Sequence, residues 1–227
     1  MTKLPTAVDV IVCWPRPCDF PAWRAFITAN RPQFGDVFVV FTDMQGRDIS
    51  GFVRDNFPGV TFIDSPPTGG RDWRDVAVNL ALDRSTSDRV WFTEQDFICG
   101  SELLSQFRRP WGPLVGFDAD DKRRLHPACI VVDRRLVDRT SRYFGPVPVD
   151  HFYTFGLEVC GMQEPILLKA GFRHYQAISE GQQLLGLGQR PRFRPEMFRE
   201  WATDQLAAGV PLEPGWADLM RQEIAQP

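Results

Sequence analysis

Glu94 and Asp96 stand one residue apart at the end of an apolar run, "WFTEQD" (91–96). On a strand, residues i and i+2 point to the same side. Two carboxylates held together beside an apolar strand are costly unless something positive lies between them. A hard divalent cation, Mg²⁺ or Mn²⁺, meets that need, because it takes oxygen ligands and in turn binds a diphosphate. It also supplies Lewis acidity toward a departing phosphate. The competing reading makes the two acids solvated turn residues, so the elements around them decide.

"AVDVIVCW" (7–14) is a β-branched run closed by "PRP", which predicts a buried strand entering a loop. Asp19 and Pro21 form a helix-start signal, and Phe20, Trp23, Phe26, Ile27 and Asn30 follow at helical spacing. A second strand is expected over 36–43, a short helix around 48–57 and a third strand over 60–64. Residues 71–84 read as a helix with Trp73, Val76, Ala77, Leu80 and Ala81 on one side. Asp72, Asp75, Asn79 and Asp83 lie on the other. "DRVWFTEQD" is the fourth strand. Beyond residue 100 the pattern loosens: strands are expected over 113–120 and 128–133 and a helix over 134–144. "EPILLKAGF" reads as a helix ending at Gly171.

Strands apolar on both faces, alternating with helices, predict an α/β fold: an αβα sandwich on a mainly parallel sheet. Ligands in such sheets sit beyond the carboxyl ends of the strands. The "PRP" loop, Asp43 and the Glu94/Asp96 pair all fall at such ends.

The chain has 227 residues and a formal charge of -3, with no general pull toward nucleic acid or anionic membrane. No stretch approaches the roughly 20 apolar residues that cross a bilayer, and the start has no secretion-signal pattern. The five cysteines are scattered with no CxxC, which points to neither a zinc knuckle nor a disulfide framework. A cytoplasmic location is expected. Residues 1–185 read as one catalytic domain, with a nucleotide-binding half over about 7–100 and an acceptor half over about 101–185. Residues 186–227 read as a C-terminal extension, partly irregular.

Gly186-x-Gly188 has Pro191 where a dinucleotide fingerprint wants a third glycine, and no Walker, HExxH or GxSxG motif occurs. A sugar nucleotidyltransferase would share the fold but wants a Gly-rich loop after the first strand. "CWPRPCDF" has no glycine.

"AVNLALDRSTSDRVWFTEQD" (77–96) resembles the GT-A glycosyltransferases, the family 2 type above all. Those enzymes carry an "ARN-x-G" helix followed by an apolar strand ending in a DxD motif that binds metal and nucleotide sugar. The resemblance spans about residues 7–135 and implies a Rossmann-like GT-A fold with a UDP-sugar donor and Mn²⁺ or Mg²⁺. It matches Asn79 to the motif Asn and Glu94 and Asp96 to the motif acids, with Asp96 the firmer ligand. It matches Asp43 to the residue that contacts the base, places Trp14 to Arg16 beside the base or ribose, and sets Arg71 near the diphosphate. Some relatives take a third metal ligand from a late histidine, which makes His174 and His151 candidates. Val78, Ala81 and Glu94 depart from the usual Arg, Gly and Asp.

An inverting transfer needs a base within hydrogen-bond reach of the acceptor hydroxyl. The resemblance points to Asp150, with Glu158 as second choice. Acceptor classes left open are a hydroxylated DNA base of a phage-type modification system, a saccharide and other hydroxyl compounds. The DNA reading draws on Arg190, Arg192, Arg194 and Arg199 interleaved with Phe193 and Phe198. The rival of a different class is a non-catalytic nucleotide- or sugar-binding module on the same fold, favoured by the three departures.

Overall fold

The computed structural model describes residues 7–14, 21–41, 57, 59–64, 73–94, 97–109, 112–118, 125–139, 159–174, 199, 202–203, 206–207 and 216–226. In chain order these give β1 (Val8–Trp14), α1 (Pro21–Asn30), β2 (Val37–Phe41), β3 (Thr61–Asp64), α2 (Trp73–Arg84) and β4 (Arg89–Glu94). Then follow β5 (Phe97–Cys99), α3 (Ser101–Phe107), β6 (Val115–Asp118), β7 (Leu125–Asp133), α4 (Arg134–Val137), β8 (Ile166–Leu167) and β9 (Phe172–His174). A further helix, Trp216–Ile224, lies near the end of the chain.

Seven strands form one sheet in the order β3-β2-β1-β4-β7-β6-β8, and β5 pairs with β9 in a separate two-stranded sheet. β3, β2, β1 and β4 run parallel, as do β6 and β8, while β7 is antiparallel to both of its neighbours. The expected α/β sandwich with a mainly parallel sheet is the observed architecture.

Strand alternation builds its two cores. Val8, Val10 and Val12 of β1, Val37 and Val39 of β2, and Trp91 of β4 share one face with Ile27 of α1 and Leu103, Leu104 and Phe107 of α3. Ile11, Phe38, Val40, Val90 and Phe92 point the other way, onto Val78, Ala81 and Leu82 of α2. Period-2 strands apolar at every position can only be satisfied by a layer on each side. Trp91 centres the first face, edge-on to Phe107 and Phe26 with ring centroids 5.1 and 6.0 Å away. Ala202 and Met220, from the expected extension, belong to that same core.

Several expectations shift. The strands expected over 36–43, 60–64 and 113–120 start later, at Val37, Thr61 and Val115, whereas the one expected over 128–133 starts earlier, at Leu125. The helix expected over 134–144 is described only as α4 and the turn after it, and most of the one around 48–57 lies outside the described residues. "EPILLKAGF" is not a helix. Ile166 and Leu168 donate their N–H groups to the carbonyls of Leu114 and Gly116 at 2.7 and 2.6 Å, which makes this run the sheet's edge strand. Three apolar residues after a proline are too few to sustain a helix, and an open strand edge offers them partners at once. Gly171, with φ of 80°, turns the chain from β8 into β9 rather than ending a helix.

At the amino end of the sheet the buried carboxylate of Asp9 is a hub. It accepts from the hydroxyls of Ser85 and Ser87, both at 2.7 Å, and from the backbone N–H groups of Thr86, Ser87 and Asp36 at 3.0, 3.1 and 2.7 Å. Burial pushes its pKa up, but the bonds from Ser87, Ser85 and Asp36 outweigh that and hold it below the ordinary value of 3.8. The turn after α2 is thereby fixed to β1 and to the entry of β2. Nearby, the buried Arg89 pairs with Asp133 at 3.2 Å and donates to the carbonyls of Phe107, Arg109, Gly112 and Pro113. That bundle anchors the segment after α3 to the start of β4.

Because the folded pKa of Asp9 is depressed, its contribution is full above the unfolded value and is lost as pH falls through the folded one. Asp9→Asn should therefore cost about 1–3 kcal/mol at pH 7, since an amide N–H₂ replaces an acceptor facing donors. The gap to wild type should narrow as pH falls below 3.8. A Cβ on Gly35 would lie 2.2 Å from Asp9 Oδ1, so Gly35→Ala should cost about 1–3 kcal/mol through overpacking. Denaturant titrations of both variants at several pH values check this.

Candidate functional site

The opposite end of the sheet carries Glu94. In the parallel registers Cys13 of β1 lies beside Glu94 of β4, Trp14 beside Phe41 of β2, and Phe41 beside Asp64 of β3. Four strands thus finish level, and Glu94 ends β4, which is buried from Arg89 to Thr93. Its neighbour Thr93 is fully buried and donates its hydroxyl to the carbonyl of Ala128 at 3.0 Å. The last strand residue before Glu94 therefore has its polar atom satisfied inside the sheet, and the first carboxylate appears only where the strand meets solvent.

His174 is brought to Glu94 by a strand pair that joins distant parts of the chain. β5 and β9 are antiparallel, with Phe97 opposite His174 and Cys99 opposite Phe172. The N–H of Gly100 adds a bond to the carbonyl of Gly171 at 2.8 Å. As a result His174 Nε2 lies 3.7 Å from Glu94 Oε2, with the imidazole 8% and the carboxylate 32% exposed. Around the imidazole stand Phe117 and Phe97, with centroids 5.6 and 6.4 Å away, and His126 at 4.8 Å. This is a buried base against a partly open acid, walled by aromatic rings.

Two ligands of one Mg²⁺ or Mn²⁺ ion, each at about 2.1 Å, stand at most about 4.2 Å apart. The 3.7 Å separation of Glu94 and His174 lies within that upper limit, and adjacent octahedral ligands stand about 3.0 Å apart, so the pair must draw closer to share such an ion. Among the described residues no group of three His, Cys, Asp or Glu side chains is placed to hold a metal.

The sequence candidates divide as follows. Glu94 and His174 are brought together. Asn79 is half-buried midway along α2, and Trp14 is described by its backbone at the end of β1. Asp96, Asp43, Arg16, Arg71, His151, Asp150 and Glu158 lie outside the described residues. His126 was not among the sequence candidates. It is 8% exposed and its Nδ1 accepts the N–H of Ala128 at 3.1 Å. No sequence signal pairs it with His174, because the link runs through two separate sheets.

Two of the departures in the "AVNLA" segment have a packing cause. Val78 and Ala81 are both fully buried against Ile11, Phe38, Val40 and Ile63. At these positions the helix turns inward, and an arginine would have to bury an unpaired cation.

No protein-family model and no curated protein sequence matches the chain. Solved structures do share its fold. One is a protein assigned as a nucleotide-diphospho-sugar transferase from Desulfovibrio desulfuricans G20, at 13% identity and a TM-score of 0.50, covering 95% of this chain and 97% of that one. Another is a 4-diphosphocytidyl-2C-methyl-D-erythritol synthase, at 12% identity and a TM-score of 0.50, covering 74% of this chain and 90% of that one. At such identity the likeness is one of fold. The fold is the Rossmann-like GT-A fold.

Val78→Arg, which restores the residue usual in the resembling motif, should destabilise by more than about 3 kcal/mol, as an uncompensated buried charge does. A thermal melt followed by circular dichroism checks it. A melt unchanged from wild type would mean the helix face has room for the guanidinium.

Proposed function

We propose that this protein is a glycosyltransferase that moves a sugar from a nucleotide-diphosphate sugar, UDP-linked in the first instance, to an acceptor hydroxyl. The observation that carries the reading is the meeting of Glu94 with His174 at 3.7 Å at the carboxyl edge of a GT-A sheet. The carboxyl edge is where ligands of open α/β sheets bind.

In this reading Glu94, His174 and Asp96 hold a divalent ion, with His174 preferred to His151 because it already faces Glu94. Bound Mn²⁺ or Mg²⁺ offsets charge gathering on the departing diphosphate. Asp43 reads the base, Trp14 and Arg16 flank base or ribose, Arg71 meets the diphosphate, and Asn79 joins them in binding the donor. Asp150 takes the proton of the attacking hydroxyl in an inverting displacement, and Glu158 is the alternative base. The glycine-free "CWPRPCDF" after β1 favours sugar transfer over nucleotidyl transfer, since a backbone that wraps a phosphate chain closely wants glycine. Among the described residues no helix is long and apolar enough to cross a membrane, in keeping with a donor taken from water.

Asp96→Asn should abolish metal-dependent UDP binding by calorimetry while the circular dichroism spectrum is kept, and Glu94→Gln should weaken it less. Unchanged UDP affinity in Asp96→Asn would sink the ligand assignment. Asp150→Asn should leave binding intact and lower turnover by roughly 10²–10⁴-fold in a donor assay read by UDP release. UDP binding with no turnover on any acceptor class supports the non-catalytic module instead.

For the acceptor, a hydroxylated base in DNA makes the sharpest prediction. The Arg-rich segment 190–199 would then contact phosphates, and duplex affinity should fall steeply with salt. Replacing two of Arg190, Arg192 and Arg194 should flatten the slope by about one unit each, and the target base would have to leave the stack. Salt-insensitive activity on a free sugar, without DNA binding at low salt, decides for a saccharide, toward which the net charge of -3 leans.

A further inference from the structure

We infer that His126 is a positioning residue, whose ring holds the imidazole of His174 against Glu94. The inference rests on the proposed reading for its consequence, metal and donor binding, and on geometry alone for the positioning itself.

β7 runs antiparallel to β4, so its first residues lie where β4 ends, and His126 reaches the Glu94 edge from the neighbouring strand. Three contacts fix its ring. The N–H of Ala128 donates to Nδ1 at 3.1 Å, which requires a lone pair there and leaves the hydrogen of the neutral imidazole on Nε2. Phe117 stacks on the ring with centroids 4.5 Å apart and planes 14° from parallel. His174 meets it edge to face, at 4.8 Å and 64°. Stacked and edge-to-face ring pairs are the favoured arrangements, and here Phe117, His126 and His174 form a three-ring cluster in which Phe117 also meets His174 at 5.6 Å. The cluster borders Glu94, 3.7 Å from His174 Nε2.

β9 is only three residues long and makes its ladder with a three-residue partner. Such a short pair sets the backbone of His174 but does little to select the rotation of its ring. The ring of His126, held from the main sheet, supplies that selection. Partners of this kind, one step behind a ligand, commonly change metal affinity by 10–100-fold when they are lost, a range taken here as about the expected effect.

The test is nitrogen NMR of the histidine rings in the full-length chain, together with Mn²⁺ titration in the presence of UDP followed by electron paramagnetic resonance. In wild type, His126 should show a bare Nδ1 and a protonated Nε2. His126→Asn keeps an acceptor for Ala128 through Oδ1 but removes the ring. If His126 merely satisfied Ala128, this variant would leave His174 untouched. We expect instead that the His174 ring signals shift and broaden and that Mn²⁺ binds about 10–100-fold more weakly. Phe117→Leu, which keeps both histidines, should move the His174 signals in the same direction by less. Wild-type His174 signals in His126→Asn, or a protonated Nδ1 on His126 in wild type, would overturn the inference. Should wild type itself bind no Mn²⁺ with UDP, the metal reading fails while the His174 signals still decide the positioning.

Discussion

Strands buried on both faces leave no position along their length where a charge can meet water, and that constraint arranges this protein. β1, β2 and β4 are lined by Val10, Ile11, Val12, Phe38, Val39, Val40, Val90, Trp91 and Phe92, each at most 2% exposed. A carboxylate on such a strand must sit at one end or the other. At either end it must either find protein donors or keep contact with solvent and ligands.

The two ends take the two solutions. Asp9, near the amino end, is 1% exposed and accepts five hydrogen bonds, so its role is completed within the protein. Glu94, at the carboxyl end, is a third exposed and faces an imidazole at ion-pair distance. A carboxylate satisfied by donors is a fastener. A carboxylate a third exposed beside an imidazole is within reach of a cation or a substrate, which is why the functional reading attaches to Glu94 and not to Asp9. The β5–β9 pair makes the difference, because it returns residue 174 to the end of β4 and closes the aromatic wall of Phe97, Phe117 and Phe172 around it.

Much of this was legible where physics writes strongly in sequence. Long doubly apolar runs announced β1, β2 and β4, the spacing over 71–84 announced α2, and an acidic residue after an apolar strand announced the edge. The weak signals were the short ones. β5, β8 and β9 are two or three residues long, below any period that can be read, and "PILL" has as good a claim to a helix as to a strand until the open edge of β6 is known. Asp9 looked like one polar residue in a β-branched run. Its five donors come from a turn 76 to 78 residues away and from the entry of β2. His126 was hidden for the same reason, since contacts between separate sheets leave no local pattern. The family resemblance offered His174 and His151 alike as metal ligands, and the structure brings His174 to Glu94.

The central claim is that the carboxyl edge of β1, β2 and β4 binds a nucleotide diphosphate through a metal shared by Glu94 and His174. A crystal structure of the chain grown with UDP and Mn²⁺, with the metal located by its anomalous signal, tests it most directly. The account predicts one Mn²⁺ within about 2.3 Å of both Glu94 and His174 and touching the diphosphate, the distance expected for oxygen and nitrogen ligands of such ions. Density for UDP at another face, or a metal at this edge that touches neither residue, would contradict it.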